Sequence, residues 1–66
     1  MFGIYTIWEI TKTDRLELDS TDFWLKALDL AKYYSANGLL TSTFLIRDNV
    51  RNKWYNRLGK PVDGPE

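Results

Sequence analysis

The chain has 66 residues, nine basic and nine acidic side chains, and neither cysteine nor histidine. This length limits it to one domain, and the two missing residue types exclude disulfide bonds, thiolate zinc sites and the commonest catalytic bases and nucleophiles. Zero net charge argues against a general polyanion binder, whose domain is usually strongly basic.

The first two segments of the chain predict a β-hairpin. Residues 2–11 are rich in β-branched and aromatic side chains, which suit a pleated strand. Residues 12–14 form a polar break with turn-forming character. Residues 15–19 then alternate leucine with charged side chains, which is the period of a half-buried strand. The alternative for this second segment is an extended loop that leads into a helix.

The next segment predicts an amphipathic helix that ends at about Asn37. Ser20 or Thr21 can cap the free N–H groups of its first turn, and Asp22 suits the positive end of its dipole. Asn37 and Gly38 form a stop signal, because glycine readily adopts the left-handed conformation that closes a helix. One face carries six mostly apolar side chains, which we expect to pack on the sheet: Phe23, Trp24, Ala27, Leu28, Ala31 and Tyr34.

Two further strands complete the predicted fold. Residues 41–47 and 51–57 have strand-forming sequences, and Asp48-Asn49 between them is a turn pair. We therefore predict an α+β domain of order ββαββ, with one helix packed on one face of a four-stranded, mostly antiparallel sheet. Residues 1–58 would form this compact domain, and residues 59–66 a flexible C-terminal tail.

The alternation of side chains divides the predicted sheet into two faces. The face under the helix would receive Phe2, Ile4, Trp8, Leu16, Leu18, Phe44, Ile46 and Trp54. The opposite face would be uncovered. It would mix tyrosine, isoleucine and leucine with charges of both signs, whereas a bare antiparallel face is normally polar.

This uncovered face predicts a protein-binding surface, because tyrosine and arginine are enriched in interfaces. The partner would be another protein or a second copy of the chain. The expected partner-binding residues are Tyr5, Ile7, Leu45, Arg47, Lys53, Tyr55 and Arg57. The protein would then be a non-catalytic adaptor, regulator or inhibitor, or a structural homo-oligomer. An ordinary sheet surface with scattered apolar groups is the alternative.

The last predicted hairpin is basic and aromatic. From Arg47 to Lys60 the chain has five basic residues and one acidic residue, and two aromatic rings lie within this run. Aromatic rings stack on bases while arginine and lysine contact phosphates. This pattern makes weak nucleic-acid binding a second hypothesis, with Arg47, Arg51, Lys53, Trp54, Tyr55 and Arg57 as the contacting residues. A solvated edge that resists aggregation is the structural alternative.

Catalysis, cofactors and membranes are not expected. The serines lie at a cap, late in the helix and at a strand start, and the glycines are isolated, so no nucleophile elbow or phosphate loop is present in the sequence. The longest apolar runs are a few residues, too short to cross a bilayer. Without cysteine or an export signal, we expect the protein in the cytoplasm.

Several residues together resemble a family of small bacterial ββαββ domains of unknown function. In that family a strand with a tryptophan leads to a helix with alanines four apart, then to a hairpin and a short tail with glycine and proline. Trp8, Ala27, Ala31, residues 44–51 and residues 59–65 occupy the corresponding positions over most of this chain. Two positions depart from the family: Asp48-Asn49 stands where Asp-Gly is usual, and Leu58-Gly59 where Tyr-Gly is usual. The resemblance implies the same fold and no activity.

Overall fold

A computed structural model describes residues 3–38 and 42–65. Within these residues the chain forms one helix and five strands: β1 Tyr5–Ile10, β2 Arg15–Thr21, α1 Trp24–Asn37, β3 Thr43–Asp48, β4 Lys53–Asn56 and β5 Pro61–Val62. The strands form one antiparallel sheet in the order β2-β1-β3-β4-β5. The helix packs on this sheet, so the predicted α+β class is confirmed. Phe2 and Thr41, which the predicted strands included, lie outside the described residues.

The predicted number of four strands is wrong by one. The fifth strand, β5, pairs with the centre of β4 and lies inside the segment 59–66 that was predicted as a flexible tail. A tight turn allows this pairing, because Gly59 adopts φ 86° at no steric cost. The Asn56 side chain accepts two backbone N–H groups of the turn, at 2.9 and 3.0 Å. A two-residue strand is too short to show a periodic pattern in the sequence.

The β1–β2 hairpin is confirmed, and β2 extends two residues further than predicted. The predicted helix caps, Ser20 and Thr21, are wrong because both residues lie in β2 and pair with β1. Phe23 precedes the helix in an extended conformation and supplies no side-chain cap. Asp22 Oδ1 accepts the backbone N–H of Ile4 at 3.0 Å, so this carboxylate fixes the start of β1.

The helix ends at Asn37 as predicted, but not by a left-handed glycine. Gly38 has φ −94°, which any residue can adopt. A close approach favours glycine there, since a Cβ atom would lie 2.2 Å from the Cζ atom of Phe44 and this ring would have to shift. The Asn37 side chain donates to the carbonyl oxygen of Tyr33 at 2.8 Å and satisfies one of the last helical carbonyls.

The core between helix and sheet contains different side chains of β1 and β4 from those predicted. Its fully buried residues are Ile7 and Ile46 from the sheet and Ala27 and Ala31 from the helix. Tyr5 and Tyr55 pack around them together with four half-buried helix residues: Trp24, Leu28, Leu30 and Tyr34. The two alanines, one turn apart, bring the helix close to the sheet, and the branched isoleucines fill the remaining space. The predicted faces of β1 and β4 are therefore wrong. In each strand the residues predicted to face the helix point away from it, and their neighbours in the sequence face it instead.

The face opposite the helix carries the tryptophans that were predicted for the core. The rings of Trp8 and Trp54 meet edge to face, with their centres 6.3 Å apart. Arg47 Cζ lies 5.1 Å from the centre of the Trp54 ring. The tail continues over this face, since a Cβ atom at Gly64 would lie 2.4 Å from the Trp54 indole. Pro65 reaches the β1–β2 turn and lines a small depression beside it. The centre of the face is buried as a result, including the side chains of Thr6 and Leu45.

Three further residues predicted for the core lie at the surface. Phe23 is 73% exposed, Leu16 is 56% exposed and Ile4 is 38% exposed. Phe23 precedes the first helical turn in an extended conformation, so the spacing of a helix does not determine the direction of its side chain. Leu16 lies on the edge strand beyond the reach of the 14-residue helix.

Candidate functional site

The seven predicted partner-binding residues do not form one surface. Tyr5, Ile7 and Tyr55 lie under the helix, and Ile7 is completely buried. Two others, Leu45 and Arg47, lie on the opposite face, where the leucine is buried and the arginine half-buried. Lys53 and Arg57 are exposed at opposite ends of β4. The prediction that these side chains share an uncovered face is therefore wrong.

Three segments with exposed apolar side chains instead meet at one end of the molecule, which we call the Phe23 end. Here β1 begins, the helix begins, and the turn of residues 49–52 connects β3 to β4. Ile4 joins these elements, because its N–H donates to Asp22 and its carbonyl oxygen accepts the N–H of Asn49 at 2.8 Å. Phe23 follows Asp22 in the chain, and Val50 follows Asn49. Both are exposed, and so is Ile4.

A cleft of about 270 Å³ opens at the same end. Its lining residues are Tyr5, Trp24, Asp48, Arg51 and Tyr55, and we call it the aromatic cleft. The Trp24 ring lies between the two tyrosine rings. Its centre is 5.2 Å from that of Tyr5 and 5.0 Å from that of Tyr55. The ring planes are inclined by 57° and 69°, so the edge of one ring meets the face of the next and the rings do not stack in parallel. Each of the three rings is half-buried, so part of its surface is open to a ligand.

Register and helix position bring the cleft together from four elements. On the helix-covered face, Tyr5 of β1 is the cross-strand partner of Asp48 at the end of β3. Tyr55 of β4 is the partner of Ile46, two residues earlier on β3. Trp24, the first residue of the helix, covers both tyrosines.

Asp48 is the buried charge of this site, with 1% exposure. Its Oδ1 accepts the backbone N–H groups of Val50 and Arg51, both at 3.0 Å, and its Oδ2 accepts Arg51 Nη1 at 3.1 Å. Burial by itself raises the pKa of Asp48, but the hydrogen bonds from Arg51 and Val50 and the guanidinium charge outweigh it. The pKa therefore lies below its ordinary value of 3.8.

Arg51 closes the cleft from the exposed side. Its side chain is 66% exposed, and the hydrogen bond and charge of Asp48, followed by the Tyr5 hydroxyl, raise its pKa. The turn that carries it is fixed from the other side, because Asn49 Nδ2 donates to Thr6 Oγ1 at 2.7 Å. At the last turn position, Asn52 adopts φ 57°, a conformation that asparagine tolerates better than most residues.

A second depression, of about 620 Å³, lies at the other end of the molecule. Its lining includes Lys32 on the helix and Arg57 after β4, together with the Phe44 ring and the hydroxyl groups of Ser35 and Ser42. Ser42 Oγ already donates to Glu9 at 2.8 Å. The two cations are exposed, and this depression lacks the buried charge that distinguishes the aromatic cleft.

Sequence reasoning found part of the aromatic cleft. Tyr5 and Tyr55 were predicted as binding residues, although on the wrong face. Trp24 was predicted for the core and Asp48 for a turn, and Arg51 was named only for nucleic-acid binding. The usable signal was an aspartate at the start of a turn with an arginine three residues later, which favours an ion pair across the turn.

In residues 3–38 and 42–65, no three acidic side chains lie close enough to hold a metal ion. No helix in this part of the chain is long and apolar enough to cross a membrane. Comparison with known protein families, with curated protein sequences and with solved structures finds no match. The resemblance to small bacterial ββαββ domains therefore stays a prediction.

Proposed function

We propose that the protein is a non-catalytic, cytoplasmic protein-binding module, an adaptor, regulator or inhibitor, that contacts its partner through the Phe23 end. The observation that carries this proposal is the aromatic cleft, which opens at the same end of the molecule as the segments that carry the exposed side chains of Ile4, Phe23 and Val50. Tryptophan, tyrosine and arginine are the residues that contribute most to binding energy in protein interfaces. All three line this cleft.

The exposure of Phe23 and Val50 supports the same surface. Both are more than two-thirds exposed, at 73% and 68%, although each has apolar area that folding alone would favour burying. Backbone hydrogen bonds join Ile4 to Asp22 and Asn49, the residues that precede Phe23 and Val50 in the chain, so the three exposed residues belong to neighbouring segments. Exposed apolar residues at the same end as an aromatic cleft are the kind of surface that a partner protein would bury.

Capture from the lysate of its own cells, with the tagged protein, tests this proposal. We expect a specific protein to be retained by the unaltered chain and lost with Val50→Asp. Leu58→Asp is the matched control, because Leu58 is 67% exposed but lies at the other end, in the β4–β5 turn. Equal retention by both variants would refute the assignment of the Phe23 end. Solution mass of the pure protein tests the alternative of a homo-oligomer.

Nucleic-acid binding is the less favoured function. Arg47 lies over the Trp54 ring and donates to Asn52 at 2.8 Å, and Arg51 is paired with Asp48. Two of the three arginines expected to contact phosphates are thus already engaged within the chain. Splitting the lysate into nuclease-treated and untreated halves separates the two functions. Recovery that is lost after nuclease treatment, or oligonucleotide binding that weakens steeply with salt, would favour nucleic acid.

A further inference from the structure

We infer that the aromatic cleft binds an organic cation, the guanidinium or methylated ammonium group of a partner's side chain. This inference rests on the proposed function and specifies what the partner inserts at the Phe23 end. The volume of about 270 Å³ lies below the roughly 300 Å³ at which pockets for drug-sized molecules begin. The cleft therefore suits the end of one side chain.

The aromatic walls favour a positive charge. The face of an aromatic ring carries the negative part of its quadrupole and attracts cations within about 6 Å of its centre. Three rings border this cleft, and their planes are inclined to each other by 57° and 69°. In these inclined contacts the edge of one ring meets the face of its neighbour, so less of the ring faces is covered than in parallel stacks.

The buried carboxylate adds to this preference. Asp48 is 1% exposed and lies in the lining of the cleft, where water screens its charge poorly. Its charged counterpart in the described residues is the Arg51 guanidinium, bonded to Oδ2 at 3.1 Å. The chain thus already holds a cation against Asp48 at the mouth of the cleft. That cation belongs to a 66% exposed side chain on a surface turn, so it can rotate into water when another cation enters.

The same groups disfavour other ligands. An anion in the cleft would face the Asp48 carboxylate and the negative faces of the rings. An uncharged apolar group would remove water from the Asp48–Arg51 pair without replacing its hydrogen bonds. Of the three kinds of ligand, the organic cation is the one that the Asp48 carboxylate and the three rings attract, and the Arg51 guanidinium is the cation that it would displace.

The test is a titration followed by tryptophan fluorescence and by NMR shifts of the Trp24 indole. The cationic probes are N-acetylarginine amide, N-acetyl-trimethyllysine amide and choline, and the neutral control is 3,3-dimethylbutanol, which has the shape of choline without its charge. We expect the cations to bind more tightly than the neutral control. Equal binding of choline and the neutral control would overturn the inference, since shape and apolar contact would then suffice.

Two variants give opposite expected effects. Arg51→Gln removes the internal competitor and should tighten cation binding by roughly two- to tenfold, a gain that misfolding cannot mimic. Asp48→Asn keeps the side-chain shape and should weaken binding by a similar factor, whereas Arg57→Gln, on the distant turn, should leave it unchanged. No gain with Arg51→Gln would contradict the inference. Binding of choline without either amino-acid probe would refute a partner side chain as the ligand.

Failure of this test would not refute the proposed function. The lysate experiment depends on Val50 and Leu58, which are not among the lining residues of the cleft. A partner lost with Val50→Asp, together with no cation binding, would leave the protein-binding surface in place and remove only the assigned ligand. Cation binding without a captured protein would leave the cleft assigned and remove the partner surface.

Discussion

Asp48→Asn is the substitution that best tests the electrostatics of the aromatic cleft. The asparagine amide retains an oxygen that can accept the N–H groups of Val50 and Arg51, which Asp48 Oδ1 accepts at 3.0 Å. Its amide nitrogen, however, replaces Oδ2 opposite Arg51 Nη1, so two donors would face each other. The variant therefore removes the charge of the site while the turn keeps its shape.

The size of the effect follows from these three hydrogen bonds. Hydrogen bonds to a charged group contribute about 1.5–3 kcal/mol, and neutral ones about 0.5–1.5 kcal/mol. The Arg51 side chain is largely exposed, so solvent screens most of its part. We expect Asp48→Asn to lower the free energy of unfolding by about 1–2 kcal/mol at pH 7. For a domain of this size that corresponds to a fall in Tm of about 4–16 °C.

The pH dependence distinguishes this explanation from a general loss of packing. The pKa of Asp48 is lowered in the folded protein, so its contribution to stability is present above its ordinary pKa of 3.8. That contribution is lost as the pH falls through the lower, folded-state pKa. Urea unfolding of both proteins should therefore show a gap in stability at about pH 7 that narrows as the pH falls below 3.8. A gap that stays constant or widens on acidification would refute the reasoning.

Three further predictions concern the two faces of the sheet. Ile7→Asp should abolish the far-UV circular dichroism of the fold, because Ile7 is fully buried. A folded variant would instead indicate that Ile7 lies on an uncovered face of the sheet. Deleting residues 63–66 should increase acrylamide quenching of tryptophan fluorescence, because Gly64 contacts the Trp54 indole; unchanged quenching would contradict this contact in solution. Burial, then the charge and hydrogen bond of Asp19, raise the pKa of Tyr34 above its ordinary value of 10.0. The stability that this group contributes is present below pH 10 and is lost as the pH rises through the folded-state pKa. Urea unfolding should therefore show that Tyr34→Phe loses less stability at alkaline pH than the unaltered protein does.

The order of elements could be predicted from the sequence because each long element has its own period. The helix ends at the predicted residue, and the leucine–charge alternation of residues 15–19 does mark a strand. The orientation of β1 could not be predicted, because both of its faces are apolar: Trp8 and Ile10 lie on one side, and Tyr5 and Ile7 on the other. With two apolar faces, hydrophobic alternation does not fix which one the helix covers.

Packing decides the orientation of β1. The buried face of the helix carries the small side chains of Ala27 and Ala31, so the helix can approach the sheet closely. Ile7 and Ile46, a cross-strand pair, fit beneath these alanines. An indole in place of Ile7 would require a wider gap. Trp8 and Trp54 lie on the opposite face, where Arg47 and the tail cover Trp54. Choosing this outcome from the sequence would have required comparing side-chain volumes across the helix–sheet interface, beyond the pattern of each strand alone.

The same packing explains why the aromatic cleft escaped prediction. Tyr5 and Tyr55 follow the phase of Ile7 and so lie under the helix. The first helical residue, Trp24, covers them, and this contact depends on the helix beginning after the strand-like Thr21. Because the sequence alone placed the helix start about two residues earlier, Trp24 was taken as one more residue of the core stripe.

Both faces of this small sheet are occupied, and this limits where a partner can bind. The helix covers one face, and the tryptophan pair and the tail cover the centre of the other. The outer strands are poor edges for pairing, because β2 is charged and carries a register shift, and Pro61 of β5 has no N–H to donate. The fold leaves free the ends of the sheet and the solvent side of the helix, where Leu25 and Tyr33 are exposed. Of the two ends, the Phe23 end combines a buried charge, three aromatic rings and exposed apolar side chains, and this is the reason to seek the partner there.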